Sequence, residues 1–244
     1  MNAMRTYSAA ILALSLGLVG CFNISSFRTV TGSGHVIKET RNVADFDRVS
    51  VGGSGKLIVQ QGDEESLTIE TDDNLLPLIE SSVSGRELRL GPQSVNIKPT
   101  GTIVYNLKVK NLNAVSLSGS LEAEAAQIKT DSFSVQVSGS GKVNIGRLEA
   151  GKLDIQVSGS GNIGLAGKVN EQRIGISGSG DYHAADLEST QASAQISGSG
   201  TLVVWARDSL NAGVSGSGEI SYYGNPKVDS QISGSGRVRR LGDK

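Results

Sequence analysis

The tetrapeptide Ser-Gly-Ser-Gly occurs six times in the second half of this 244-residue chain, starting at Ser138, Ser158, Ser177, Ser197, Ser215 and Ser233. Successive starts are 20, 19, 20, 18 and 18 residues apart. A degenerate copy begins at Ser118, and looser ones lie at Gly53-Ser54-Gly55 and Gly32-Ser33-Gly34. A near-constant period of this size predicts a stacked repeat protein, in which each unit buries its apolar face against its neighbours.

Within the unit from Ser138 to Val157, two stretches alternate in polarity. Val143 and Ile145 flank Asn144, and Leu153, Ile155 and Val157 flank Asp154 and Gln156. Period-two alternation in Val and Ile is the pattern of half-buried strands, so each unit is expected to hold two strands joined by turns. The apolar slots recur in every unit. Five residues after each start stand Val143, Ile163, Tyr182, Leu202, Ile220 and Val238, and just before each start stand Val137, Val157, Ile176, Ile196, Val214 and Ile232. Apolar residues at equivalent slots stack into one continuous core, which defines an all-β fold: a parallel β-solenoid with coils about 4.8 Å apart. The turn glycines supply positive φ and close backbone approach at each corner. Ladders of turn serines, and an outer column of Gln136, Gln156, Gln195 and Gln231, are expected to run along the stack.

From Gly62 to Val115 the period breaks. Strands are predicted over Glu65–Glu70, Arg86–Leu90 and Ile103–Val109, with a short capped helix over Asp73–Glu80, so that this segment covers the N-terminal coils. At the other end, the positive run Arg237-Val238-Arg239-Arg240 is expected to discourage edge-to-edge pairing.

The first twenty residues read as a bacterial lipoprotein signal peptide. Arg5 precedes an uncharged apolar run from Ala9 to Val19, and Leu18-Val19-Gly20-Cys21 fits the processing site. Cys21, the only cysteine, is the expected lipidation site. Thioether diacylglycerol plus an N-acyl chain suffices for stable membrane anchoring. Phe22 rather than Asp follows it, which favours delivery to the outer membrane. The expected organisation is a signal peptide over 1–20, a lipidated tether and the start of the first coil over 21–44, and one solenoid domain over 45–244. Removing residues 1–20 leaves 22 basic and 24 acidic side chains, which gives no electrostatic case for nucleic acid.

Several of these stretches together resemble the auto-transporter adhesin head GIN domain family. They are Phe46-Asp47-Arg48-Val49 leading into Gly53-Ser54-Gly55-Lys56-Leu57-Ile58-Val59, Asp73-Asn74-Leu75-Leu76, the serial turns, and Tyr222-Tyr223-Gly224-Asn225-Pro226-Lys227-Val228. The resemblance covers roughly residues 45–240. It implies a right-handed parallel β-helix of the kind found in bacterial lipoproteins and surface proteins, and it supplies no catalytic residues.

The residues carry little that reads as reactive chemistry. Gly53-Ser54-Gly55-Lys56-Leu57 fails as a phosphate loop, because Leu57 stands where Ser or Thr is needed. The residues after the turns (Lys142, Asn162, Asp181, Thr201, Glu219, Arg237) form no regular calcium-ligand set. His35 and His183 are far apart, so no metal or other cofactor is expected. Asp154, Asp181 and Asp186 are the carboxylates to test for polysaccharide cleavage, and they occupy ordinary outward positions. One column stands out, eight residues after each turn start: Gly146, Ala166, Ala185, Trp205, Tyr223, Leu241. Alternation turns it outward, so Trp205 and Tyr223 become neighbours on adjacent coils beside Val203 and His183, with Tyr182 and Tyr222 inward. These four outward residues are the candidate contact set for a glycan, an envelope component or another protein. The leading expectation is a non-enzymatic, adhesin-like lipoprotein of the outer membrane. A structural or stress-related lipoprotein facing the periplasm is the alternative, and a β-helix enzyme comes third.

Overall fold

The structure, a computed structural model, describes residues 29–93 and 95–244; the signal segment, Cys21 and Phe22 fall outside the described residues. Five long strands, Ala114–Gly139, Lys142–Gly159, Asn162–Gly178, Asp181–Gly198 and Thr201–Gly216, pair in parallel, each with the next. The expected parallel β-solenoid is therefore present, with coils in step with the Ser-Gly-Ser-Gly period. The expected pair of strands per unit is instead one continuous strand that bends. The ladder persists around the bend, and register shifts at Ile145/Leu148, Gly164/Ala166 and His183/Glu188 absorb the extra residues.

The sharp corner depends on its first glycine. Gly139, Gly159, Gly178, Gly198, Gly216 and Gly234 all adopt φ between 111° and 134°. A Cβ on Gly198 would lie 2.2 Å from the Gly178 carbonyl oxygen on the coil beneath, so backbone fills the space a side chain would need. The amide after the glycine closes the corner. Ser160 N–H donates to Gly139 O, Ser179 to Gly159 O, Ser199 to Gly178 O and Ser217 to Gly198 O, each at 2.9 Å. The corner ladder is thus made by serine backbone rather than by the hydroxyls.

Inside, the predicted columns are in register. Val143, Ile163, Tyr182, Leu202 and Ile220 stack in one row and Val137, Val157, Ile176, Ile196 and Val214 in another, all buried. The outer Gln136 and Gln156 are opposite each other. Gln156 Nε2 donates to Asp154 Oδ1 on its own strand at 3.3 Å rather than along the column.

The two ends of the stack differ. At the N-terminal end Arg48–Gln61 lies against the first long strand. It is covered by Val104–Val109, then antiparallel Ser66–Asp72, then Val36–Arg41, while the hairpin Ile79–Ser84/Glu87–Pro92 covers its other half. The helix expected over Asp73–Glu80 is only a 3-10 turn, Leu76–Leu78. The turn stops because Ile79 is already extended, with ψ of 118°, and Arg41 ties this end down, its guanidinium donating to Leu76 O at 2.7 Å and to Ile79 O at 2.5 Å. The chain then enters the strand Ile79–Ser84 at once.

At the C-terminal end, Lys227–Gly234 and Arg237–Gly242 pair on one side only, with Thr201–Gly216 and Glu219–Tyr223 respectively. Ile232 is 48% exposed there, whereas Ile196, two coils earlier in the same column, is 2% exposed. The positive run is not a free row of charge. Arg237 and Arg239 both pair with Glu219, and Arg240 pairs with Asp243.

Candidate functional site

Alternation along Thr201–Gly216 buries Leu202, Val204 and Ala206 and leaves Val203 and Trp205 half-buried on the outer face. Trp205 is opposite Tyr223 in register, and Val203 is opposite both His183 and Ser221. The two predicted aromatic neighbours are therefore on adjacent coils, with Val203 and an exposed His183 in the next column. Tyr182 is buried, and Tyr222 packs against the core as expected.

The column differs from expectation at its flanks. Below Trp205 the register shift between His183 and Glu188 puts Glu188, not Ala185, opposite the indole. Above Tyr223 a second irregularity puts Gly242 opposite it in place of Leu241. Both corrections share a cause: residues bulged out of the ladder move a column by more than the period predicts. Glu188 brings charge to the ledge. It pairs with Arg207 at 3.1 Å and Lys168 at 3.4 Å, and the Arg207 hydrogen bond holds its carboxyl below the usual range.

Gly224 closes the ledge at the corner. Its φ is 96°, and a Cβ there would lie 2.2 Å from Ala206 O and 3.5 Å from the Trp205 indole. Over the two rings lies Lys244, its Nζ 5.2 Å from the Tyr223 centroid and 6.0 Å from that of Trp205. The same ammonium pairs with Asp186. No sequence pattern signalled this contact, because it joins residues from four successive coils.

Beneath the indole lies a buried polar network that sequence reasoning missed. Ser189 Oγ donates to the Trp205 carbonyl at 2.7 Å. Gln172 Nε2 donates to Ser189 Oγ at 2.8 Å and lies 3.4 Å from the same carbonyl. The Tyr182 hydroxyl completes the set, donating to Gln172 Oε1 at 3.0 Å, and its burial pushes its own titration far upward. The signal was available: Gln172 occupies an inward slot otherwise filled by Phe133, Leu153, Ala192 and Leu210.

The carboxylates singled out for catalysis are not brought into one column. Asp154 is in register with Ser134 and Arg173, Asp181 with Asn162 and Thr201, and Asp186 with Ala166. Lys56 of the failed phosphate loop is held by Glu124 at 2.8 Å and Glu122 at 3.8 Å. Among the described residues, no three His, Cys, Asp or Glu side chains group as metal ligands.

Residues 45–226 match the family described as "Putative auto-transporter adhesin, head GIN domain", and the chain belongs to that family. Solved structures agree. A putative adhesin from Bacteroides fragilis superposes with a TM-score of 0.80 at 24% identity, over 88% of this chain and all of that one. A putative lipid binding protein from Parabacteroides distasonis gives 0.74 at 25%, with the same coverage. A putative adhesin from the same species gives 0.64 at 28%, over 87% of this chain and all of that one. No curated protein matches this chain. The family and these neighbours are described as adhesins or binding proteins, a description that fits the cell envelope or surface.

Proposed function

We propose that this chain is a non-enzymatic binding module of the bacterial outer membrane, anchored through lipid on Cys21, with residues 45–244 as the binding domain. The observation that carries the reading is the register of Trp205 on Tyr223, two aromatic side chains on the outer face of a rigid strand stack. Val203 and His183 extend this face one column away. Half-buried rings backed by a packed core present contact area at little entropic cost, the usual character of an interaction hot spot. The carboxylates sit in separate columns, which favours binding over catalysis.

The test replaces Trp205 and Tyr223 together by Leu, keeping apolar cover while removing both rings. Binding of the purified chain to isolated cell envelopes should weaken at least tenfold, with the thermal transition within a few degrees of wild type. Unchanged binding would remove the ledge from the reading. Labelling of a Ser235→Cys variant, exposed on the last coil, with an impermeant maleimide on intact cells would show a domain facing outward. Labelling only after permeabilisation would favour a periplasmic lipoprotein.

A further inference from the structure

The ledge is already occupied by part of its own chain. Lys244 lies folded down over the rings, its side chain only 28% exposed, whereas its partner Asp186 is 74% exposed. Its ammonium lies over both rings, within about 6 Å of each centroid, and pairs with a carboxylate. Two π-faces and one carboxylate converging on a point make a receptor for a compact cation rather than for a neutral sugar ring. A sugar would have to lie flat on the faces that Lys244 covers. The tail that delivers Lys244 is held by contacts that water can replace. Arg240 pairs with Asp243 and donates from Nε to Gly224 O at 2.7 Å, and the Lys244–Asp186 pair is itself at the surface. Ion pairs of this kind are weak and exchange readily.

We infer that Trp205, Tyr223 and Asp186 form a binding site for a lysine side chain of a partner protein, and that Lys244 fills this site in cis until the partner displaces it. The inference rests on the binding role proposed above and adds its ligand chemistry. Lysine is the assigned group because a lysine is what the site holds. A competing internal ligand lowers the apparent affinity by the fraction of molecules in which the site is free. Removing Lys244 should therefore tighten binding of an external ammonium by about tenfold, the scale set by one cation–π contact plus one exposed ion pair.

Trp205 is the only tryptophan in the sequence, so its emission reports the site directly. Nα-acetyl-lysine amide would be titrated into wild type and Lys244→Gln, with the Nε-acetylated compound and glucosamine as comparison probes. A chain lacking residues 243–244 would provide a second route to the open site if the substitution perturbs folding, with circular dichroism confirming the fold of each. The expected result is a saturable change in Trp205 emission with the free lysine compound, about tenfold tighter in Lys244→Gln than in wild type. The change should be absent with the Nε-acetylated probe and severalfold weaker on adding Asp186→Asn. The inference is overturned if both open forms show no saturable change, if the acetylated probe acts equally well, if glucosamine binds and lysine does not, or if wild type and Lys244→Gln bind alike. Failure here alongside envelope binding that still depends on Trp205 and Tyr223 would reject the lysine site alone.

Discussion

Ser189 Oγ donates to the carbonyl oxygen of Trp205 across one coil boundary, at 2.7 Å and inside the core. The outward indole is thus fixed through its own backbone by a buried hydroxyl, itself held by Gln172. Breaking this network should be costly, because a buried polar group left without its partner keeps its full desolvation penalty. Tyr182→Phe, which strips Gln172 Oε1 of its donor, is expected to destabilise the fold by about 1–3 kcal/mol. Denaturant unfolding measures it, and a change in Trp205 emission in the native state would show that the ledge moves with the network.

Two isoleucines in one column allow an internal comparison. Ile196→Ala should cost about 2–5 kcal/mol, the usual range for a fully buried isoleucine. Ile232→Ala, on the open last coil, should cost about 1 kcal/mol, because nearly half of the residue already meets water. Equal losses would mean that the last coil is covered in solution.

Corner glycines should not tolerate a side chain. Gly198→Ala combines φ of 134° with a Cβ 2.2 Å from Gly178 O, and should destabilise by at least about 1–3 kcal/mol. Gly101→Ala, with nothing within 4 Å and no positive φ, should change stability by less than about 0.5 kcal/mol. Thermal melts of the two variants side by side measure the difference.

Asp72 makes the N-terminal cover sensitive to acid. Its carboxylate accepts Thr100 Oγ1–H at 2.7 Å, Gly34 N–H at 2.8 Å and Thr100 N–H at 2.9 Å. The Thr100 hydroxyl contributes most to holding its pKa below the ordinary 3.8. A depressed folded pKa gives stability that is complete above the unfolded value and fades as pH falls from there through the folded one. Unfolding free energy should therefore drop as pH falls below 3.8, and Asp72→Asn should flatten that part of the profile.

The repeat period, the inward columns and the Trp205–Tyr223 pair were legible because each depends on spacing alone. Stacked parallel strands turn equal spacing into contact. The Gln172–Ser189–Tyr182 network was only partly legible. Gln172 stands out as a polar residue in an otherwise apolar inward slot, but Ser189 and Tyr182 come from two other slots of the next coil, so spacing alone does not bring the three together. The bulge at His183/Glu188 replaced Ala185 by Glu188 beneath the indole. The Asp73–Glu80 segment carried helical signals, but Ile79 begins a strand of the covering hairpin, and a partner of that kind, remote in sequence, is not marked by local signals. Lys244 escaped notice because a surface lysine carries no pattern until the fold brings Asp186 and two rings beneath it.

The one-sided last coil also bears on how such a chain can change over generations. Its backbone presents the same register that every inner coil offers the next, and the closure at the other end is built from different strands altogether. Duplicating one unit of 18–20 residues between that closure and Thr201 would leave every corner and column satisfied. It would raise the aromatic ledge by about 4.8 Å per copy. The distance between the aromatic ledge and the N-terminal closure can thus be tuned by copying a unit, without altering the residues of the ledge.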